Sequence, residues 1–255
     1  MARTIDYGER GTVHVVADAD DLAFAAADLV KQVIDEARNA YPKALIALSG
    51  GSTPKRMGEI LAALPYSETV AWRDAEIFWG DERWVPLDSP ESNAGEAMRG
   101  FLDKVRIPRA QIHPYALDTT PEASAAQMAA SIATYGADET TRFHLILLGM
   151  GDDGHTASLF PGTEAIHERR KLVVSHRVEK LDATRLTFTP PLINAAFQVA
   201  FLVGGAGKAD MLHKVLDGPV DIDTYPSQVV RPAHGKLTWL VDEAAAAQLE
   251  RASHG

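Results

Sequence analysis

The chain has 255 residues, 46% of them hydrophobic, no cysteine and a formal net charge of −10. That length and apolar content suit one packed α/β domain spanning 1–255. The charge excludes the basic footprint that nucleic acid needs, the missing cysteines exclude disulfides and thiolate chemistry, and no apolar run approaches the ~18 residues of a membrane span.

The first residues, Met-Ala-Arg-Thr-Ile-Asp, carry no apolar signal region. The expectation is a cytoplasmic protein with no membrane or nucleic-acid partner, acting as a monomer. Short apolar runs predict strands at 12–16, 44–48, 76–79, 143–148, 172–175, 185–189, 198–203 and 236–240. Helix-period stretches lie between them at 20–40, 54–64, 93–105, 121–135, 206–216 and 243–251, and 218–232 reads as a loop. Alternation of this kind predicts a doubly wound, mostly parallel sheet with helices on both faces, Rossmann-like and of a single domain. In such a fold ligands bind outside the carboxyl ends of the strands.

Four predicted strand exits carry unusual chemistry. At the first, Ser49-Gly50-Gly51-Ser52-Thr53-Pro54 leaves a strand and opens a helix with proline near its first position. Small residues expose backbone N–H groups there, and the helix terminus favours an anion; a plain capped turn is the alternative. The second, Gly80-Asp81-Glu82-Arg83, lies between Trp79 and Trp84, which predicts a partly buried site. Arg83 can fork two donors onto a phosphate or carboxylate, or pair structurally with Asp81 or Glu82.

The third exit follows the apolar run 143–148 and reads Gly149-Met150-Gly151-Asp152-Asp153-Gly154-His155. Glycines let the backbone turn sharply, and histidine titrates nearest neutrality, so His155 beside Asp153 reads as a proton-transfer site. The segment also matches G-x-G-x-x-G, but Pro161-Gly162 stops it too soon for the sustained helix of a dinucleotide site. His144, His155, His167 and His176 lack the i, i+4 spacing of a helical metal pair, and no G-x-S-x-G elbow is present. Arg185 opens a β-branched run, as an edge cation or a second anion-binding residue. At the fourth exit, Gly204-Gly205-Ala206-Gly207-Lys208 sets an ammonium at a helix start. It is no Walker loop, because Leu202 and Ala209 replace the required glycine and Ser or Thr.

Taken in order, Ser-Gly-Gly-Ser-Thr-Pro, Gly-Asp-Glu-Arg-Trp-Val-Pro, Gly-Met-Gly-Asp-Asp-Gly-His-Thr-Ala-Ser-Leu-Phe-Pro and Gly-Gly-Ala-Gly-Lys resemble the 6-phosphogluconolactonases, across roughly 44–241. That family shares a superfamily and a doubly wound sheet with the glucosamine-6-phosphate deaminases. The resemblance implies hydrolysis of a small phosphosugar lactone, 6-phospho-D-glucono-1,5-lactone, to 6-phosphogluconate in the oxidative pentose phosphate pathway, with no metal and no cofactor. By motif position it makes His155 the general base and Asp153 its orienting partner. Arg83, Lys208 and the loop Ser49, Gly50, Gly51, Ser52 and Thr53 would hold the phosphate, with Arg185 beside them. Asp81 corresponds to a proton-transferring acid of the deaminases and would be accessory here. Phe160 stands where the deaminases carry a Glu. That favours the lactonase over an amino-sugar phosphate deaminase or isomerase, and the Asp153/His155 pair favours it over a non-catalytic sugar-phosphate sensor.

Overall fold

The computed structural model describes residues 3–135 and 142–249. Its strands are β1 (Arg3–Asp6), β2 (Thr12–Val16), β3 (Ala44–Leu48), β4 (Ala75–Trp79), β5 (Asp81–Arg83), β6 (Leu145–Gly149), β7 (Val173–Val178), β8 (Ala183–Phe188), β9 (Gln198–Val203) and β10 (Lys236–Asp242). The helices are α1 (Ala19–Ala37), α2 (Ser52–Ala62), the short α3 (Tyr66–Thr69), α4 (Asn93–Gly100), α5 (Pro121–Ala133), α6 (Pro190–Ala195) and α7 (Ala209–Leu216).

Seven strands form one sheet in the order β1-β2-β10-β9-β6-β3-β4, parallel throughout except for β1 against β2. Its central strands read as unbroken apolar runs because both faces are covered: every residue of β3 and β4 is buried. Helix α1 shows how one cover forms. Asp18 caps it by accepting from the Asp21 N–H, and Leu22, Ala26, Val30, Val33 and Ile34 make the apolar stripe that it buries. The chain moves outward from β3 to β4 and then returns to lay β6 on the other side of β3. The exits of β3 and β6 therefore flank the point where the winding reverses, which is where such sheets bind ligands.

Beyond the carboxyl edge lies a second, antiparallel sheet in the order β5-β8-β7. Gly80 joins the two sheets: its N–H donates to the Leu48 carbonyl of β3, and its carbonyl accepts from Phe188 of β8. The stretch 81–83, expected as part of a loop, is thus a strand. Its acidic sequence hides this, because pairing with β8 and hydrogen bonds to Glu82 compensate the burial of charge.

The helix expected at 243–251 does not form over 243–249, and 250–251 lie outside the described residues. Instead Glu243 donates to the Val16 carbonyl, the Asp242 carboxylate accepts from Ala245, and the resulting turns bury Ala245, Ala246 and Leu249. Tertiary burial overrides the helix propensity of the alanine run. The helix expected at 93–105 ends at Gly100, followed by a 3₁₀ turn at 102–104 that seats Phe101 and Leu102 in the core. Among the described residues no helix is long and apolar enough to cross a membrane.

Candidate active site

The exit of β6 is shaped by hydrogen bonds within a few residues. The Gly154 N–H donates to the Gly151 carbonyl, the Gly151 N–H to the His155 carbonyl, and the Thr156 hydroxyl to the Gly149 carbonyl. Gly154 needs its positive φ of 77° for this turn. Gly151 is required for a different reason: a Cβ there would overlap the His155 imidazole at Nδ1 and Cε1. The folded loop sets His155 Nδ1 2.6 Å from Asp153 Oδ1, which also accepts the His155 backbone N–H at 3.3 Å. On the ring's face, Phe160 stacks with a centroid separation of 4.2 Å and an interplanar angle of 26°.

Burial pushes the Asp153 carboxyl up, but hydrogen bonds from His155 and Lys180 more than offset this and leave it lowered to about 2. Asp153 is therefore an anion at neutral pH and accepts a hydrogen bond from the N–H of Nδ1. That fixes the tautomer with a free lone pair on Nε2.

Facing this pair is the small sheet. In the β5–β8 ladder Arg83 stands directly opposite Arg185. Arg83 donates to the Glu91 carbonyl at 2.5 Å and Arg185 only to the Thr184 carbonyl at 3.5 Å. Among the described residues neither has a carboxylate at ion-pair distance, so the Arg83–Asp81 or Arg83–Glu82 pair does not form. Partial burial and then the neighbouring Arg83 charge lower the Arg185 pKa. Two cations held side by side with no carboxylate at ion-pair distance among the described residues leave donors free for an anion.

Asp81, buried next to them, accepts from the Ser158 hydroxyl at 2.7 Å and from the Asn93 amide at 3.4 Å. Glu82 points the other way. Its carboxylate accepts from the Ser92 hydroxyl and from the backbone N–H groups of Arg83, Asn93 and Ala94, which ties β5 to the start of α4. Burial pushes its pKa up while the backbone donors hold it back. The prediction that the charges between Trp79 and Trp84 are partly buried agrees with what the structure shows.

One cleft of about 500 Å³ is lined by His155, Asp153, Asp81, Arg83 and Arg185 together with Asp152, Ser158, Phe160 and Lys180. Five of the residues anticipated from sequence thus come together. Lys208 stands just outside, donating to Asp152 Oδ1 at 2.5 Å. Ser49, Gly50 and Gly51 line a neighbouring cavity with Asn93, whereas Ser52 and Thr53 do not line it. Asn93 joins the two spaces, since its amide donates to the Asp81 carbonyl and its side chain fills the room a Cβ on Gly50 would take. Among the described residues no group of His, Asp and Glu converges so as to hold a metal ion.

Sequence reasoning missed Ser158, Asn93 and Lys180. Ser158 lies within the recognised motif and had only its hydroxyl as a signal. Asn93 follows the cap residue Ser92 of α4, and Lys180 gives no local signal.

A wound sheet with a histidine hydrogen-bonded to a carboxylate at its switch point, facing two guanidiniums across one cleft, places the chain among the α/β enzymes. The model of the family described as glucosamine-6-phosphate isomerases/6-phosphogluconolactonase matches residues 17–239, and the chain belongs to that family. The 6-phosphogluconolactonase of Nostoc sp. is 42% identical over 243 residues, covering 93% of this chain and 98% of that relative. The solved 6-phosphogluconolactonase of Trypanosoma cruzi superposes with a TM-score of 0.83 at 26% identity, covering 98% of this chain and 100% of the other. A monomeric glucosamine-6-phosphate deaminase shares the fold at 22% identity, with a TM-score of 0.77 over 92% of this chain and 99% of its own.

Proposed function

We propose that this chain is a 6-phosphogluconolactonase. It hydrolyses 6-phospho-D-glucono-1,5-lactone to 6-phosphogluconate in the oxidative pentose phosphate pathway, in the cytoplasm. The observation that carries the reading is the His155–Asp153 pair opening onto the same cleft as Arg83 and Arg185. A lactone carbonyl presented at one end and a phosphate at the other need this arrangement.

The chemistry follows from the tautomer. Nε2 of His155 accepts a proton from water as the water oxygen bonds to the lactone carbonyl carbon. Asp153 stabilises the imidazolium that forms. When the tetrahedral adduct collapses, the bond from that carbon to the ring oxygen breaks and the imidazolium returns its proton to that oxygen. The leaving group stays tethered to the product, so no covalent nucleophile is required. A positioned base of this kind contributes on the order of 10²–10⁴-fold. Arg83 and Arg185 hold the phosphate and so supply positioning. Lys208 at the rim, and Ser49, Gly50 and Gly51 in the neighbouring cavity, extend the anion-binding edge, and Asp81 is held beside the cleft by Ser158 as an accessory group.

The deaminase reading needs a carboxylate at the position of Phe160. Here an apolar ring stacks on the imidazole instead, which favours the lactonase. The test generates the lactone in situ from glucose 6-phosphate and follows acid production against the spontaneous rate. Acceleration that disappears in His155→Ala is expected. Ammonia release from glucosamine 6-phosphate, with no acceleration of lactone hydrolysis, would overturn the assignment.

A further inference from the structure

Both oxygens of the Asp153 carboxylate are engaged. Oδ1 faces His155, while Oδ2 accepts from the Lys180 ammonium at 3.0 Å. Lys180 comes from a part of the chain unrelated to the β6 loop. It stands in the 3₁₀ turn Glu179–Leu181 at the tip of the β7–β8 hairpin, which Asp182 closes in a left-handed conformation with φ 48°. Lys180 lines the cleft from that tip, and Arg185 lines it from further along the same hairpin.

We infer that Lys180 is a positioning residue for the reaction: by holding Oδ2 of Asp153 it keeps Oδ1 on the imidazole and the free Nε2 facing the cleft. This rests on the lactonase reading and adds to it a residue that acts only through Asp153. The physical need comes from the neighbouring cations. Among the described residues no carboxylate stands at ion-pair distance from Arg83 or Arg185, so a loosely held Asp153 in the same cleft would be drawn toward them. Such a contact would leave the histidine without its partner and neutralise the anion site. Lys180 competes with them for the carboxylate through Oδ2. The same hairpin thus supplies a cation for the substrate and one that keeps the base in order.

An exposed ion pair usually contributes little, and the Lys180 side chain is 70% exposed. The difference here is that its partner shares its charge with the reacting imidazole. The charged groups lining the cleft with His155 are Asp81 and Arg83 from β5, Asp152 and Asp153 from its own loop, Lys180 from the hairpin tip and Arg185 from β8. Removing the Lys180 charge makes it easier for that set to accept a proton. The acid limb of the rate profile then moves to higher pH.

The test compares Lys180→Met and Lys180→Arg in the lactone assay. Lys180→Met is expected to lower kcat about tenfold, the effect of one charge-assisted hydrogen bond, with KM changed less than about twofold. Its acid limb should rise by about half a pH unit. Lys180→Arg should restore both kcat and the profile. On an Asp153→Asn background, Lys180→Met should add nothing further. A KM that rises about tenfold at constant kcat would overturn the inference by making Lys180 a substrate cation; so would an unmoved pH profile, or losses that add in the double variant. An inactive His155→Ala with an indifferent Lys180→Met sinks this inference alone. An active His155→Ala sinks the underlying base assignment.

Discussion

Two histidines mark the two ends of β6. His144 precedes the strand, and its Nδ1 accepts the Leu45 backbone N–H at 3.0 Å. His155 follows the strand, and its Nδ1 faces a carboxylate. The first is sealed between β3 and β6 against the edge of Tyr41, and burial lowers its pKa to about 4. The second sits in an open cleft beside an anion. The same side chain thus fills a structural place at one end and the place we propose for the reactive base at the other. What separates them is whether Nδ1 meets a donor or an acceptor.

The strongest way to break this contrast is to remove the reactive ring. His155→Ala should lower kcat by about 10²–10⁴-fold with KM nearly unchanged. Turnover close to normal would refute the role given to that end of the strand. Gly151→Ala should come next, with a loss of kcat of about 10²-fold. The added methyl overlaps the imidazole, and small displacements of catalytic groups cost on this scale. Thermal unfolding should change little, because the overlap falls on part-exposed side chains and not on backbone. A variant that keeps its kcat would show that the tight fit of ring over glycine has no bearing on catalysis.

A smaller effect is expected across the cleft. Arg83→Ala or Arg185→Ala should raise KM about tenfold, as for loss of roughly 1.4 kcal/mol of uniform binding. The double variant should fall short of the product of the two, since the guanidiniums share one anion. An unchanged KM in both single variants would move the phosphate elsewhere, with Lys208 and the Ser49 loop first to be tried.

The convergence of side chains at the proposed reactive end was legible because its parts are close in sequence. Asp153, His155 and Phe160 belong to one motif, and the glycines among them are explained by one turn and one close approach. The central strands were legible for a similar reason, since β3, β4 and β9 are unbroken apolar runs. The cleft's other wall was not. Arg83 meets Arg185 only through the register of β5 on β8, and Asp-Glu-Arg does not look like a strand until its burial is compensated by Ser92, Asn93 and Ala94. Lys180 reaches Asp153 only once the β7–β8 hairpin has folded over the β6 loop. Lys208 was expected at the phosphate; its contact with Asp152 at the rim of the cleft has no signal in the sequence. The helix expected at 243–251 misled because an alanine-rich run reads the same whether it winds or turns to fill a gap in the core.

The structural end offers the smallest effect, on stability. His144 has a pKa of about 4 when folded and 6.5 as its ordinary value. Between these values the unfolded chain takes up a proton that the folded chain refuses, so stability is full above about pH 7 and falls as the pH drops toward 4. From pH 7 to pH 5.5 this amounts to roughly 1 kcal/mol. The cause is specific: a protonated Nδ1 would become a donor facing the Leu45 N–H, opening the β3–β6 junction at the end away from the cleft. His144→Asn keeps an acceptor near the same place without a titrating group. Its urea-unfolding midpoint should therefore vary less than wild type's between pH 7 and 5.5. Equal pH dependence in the two proteins would show that protonation at this end of β6 does not govern acid stability.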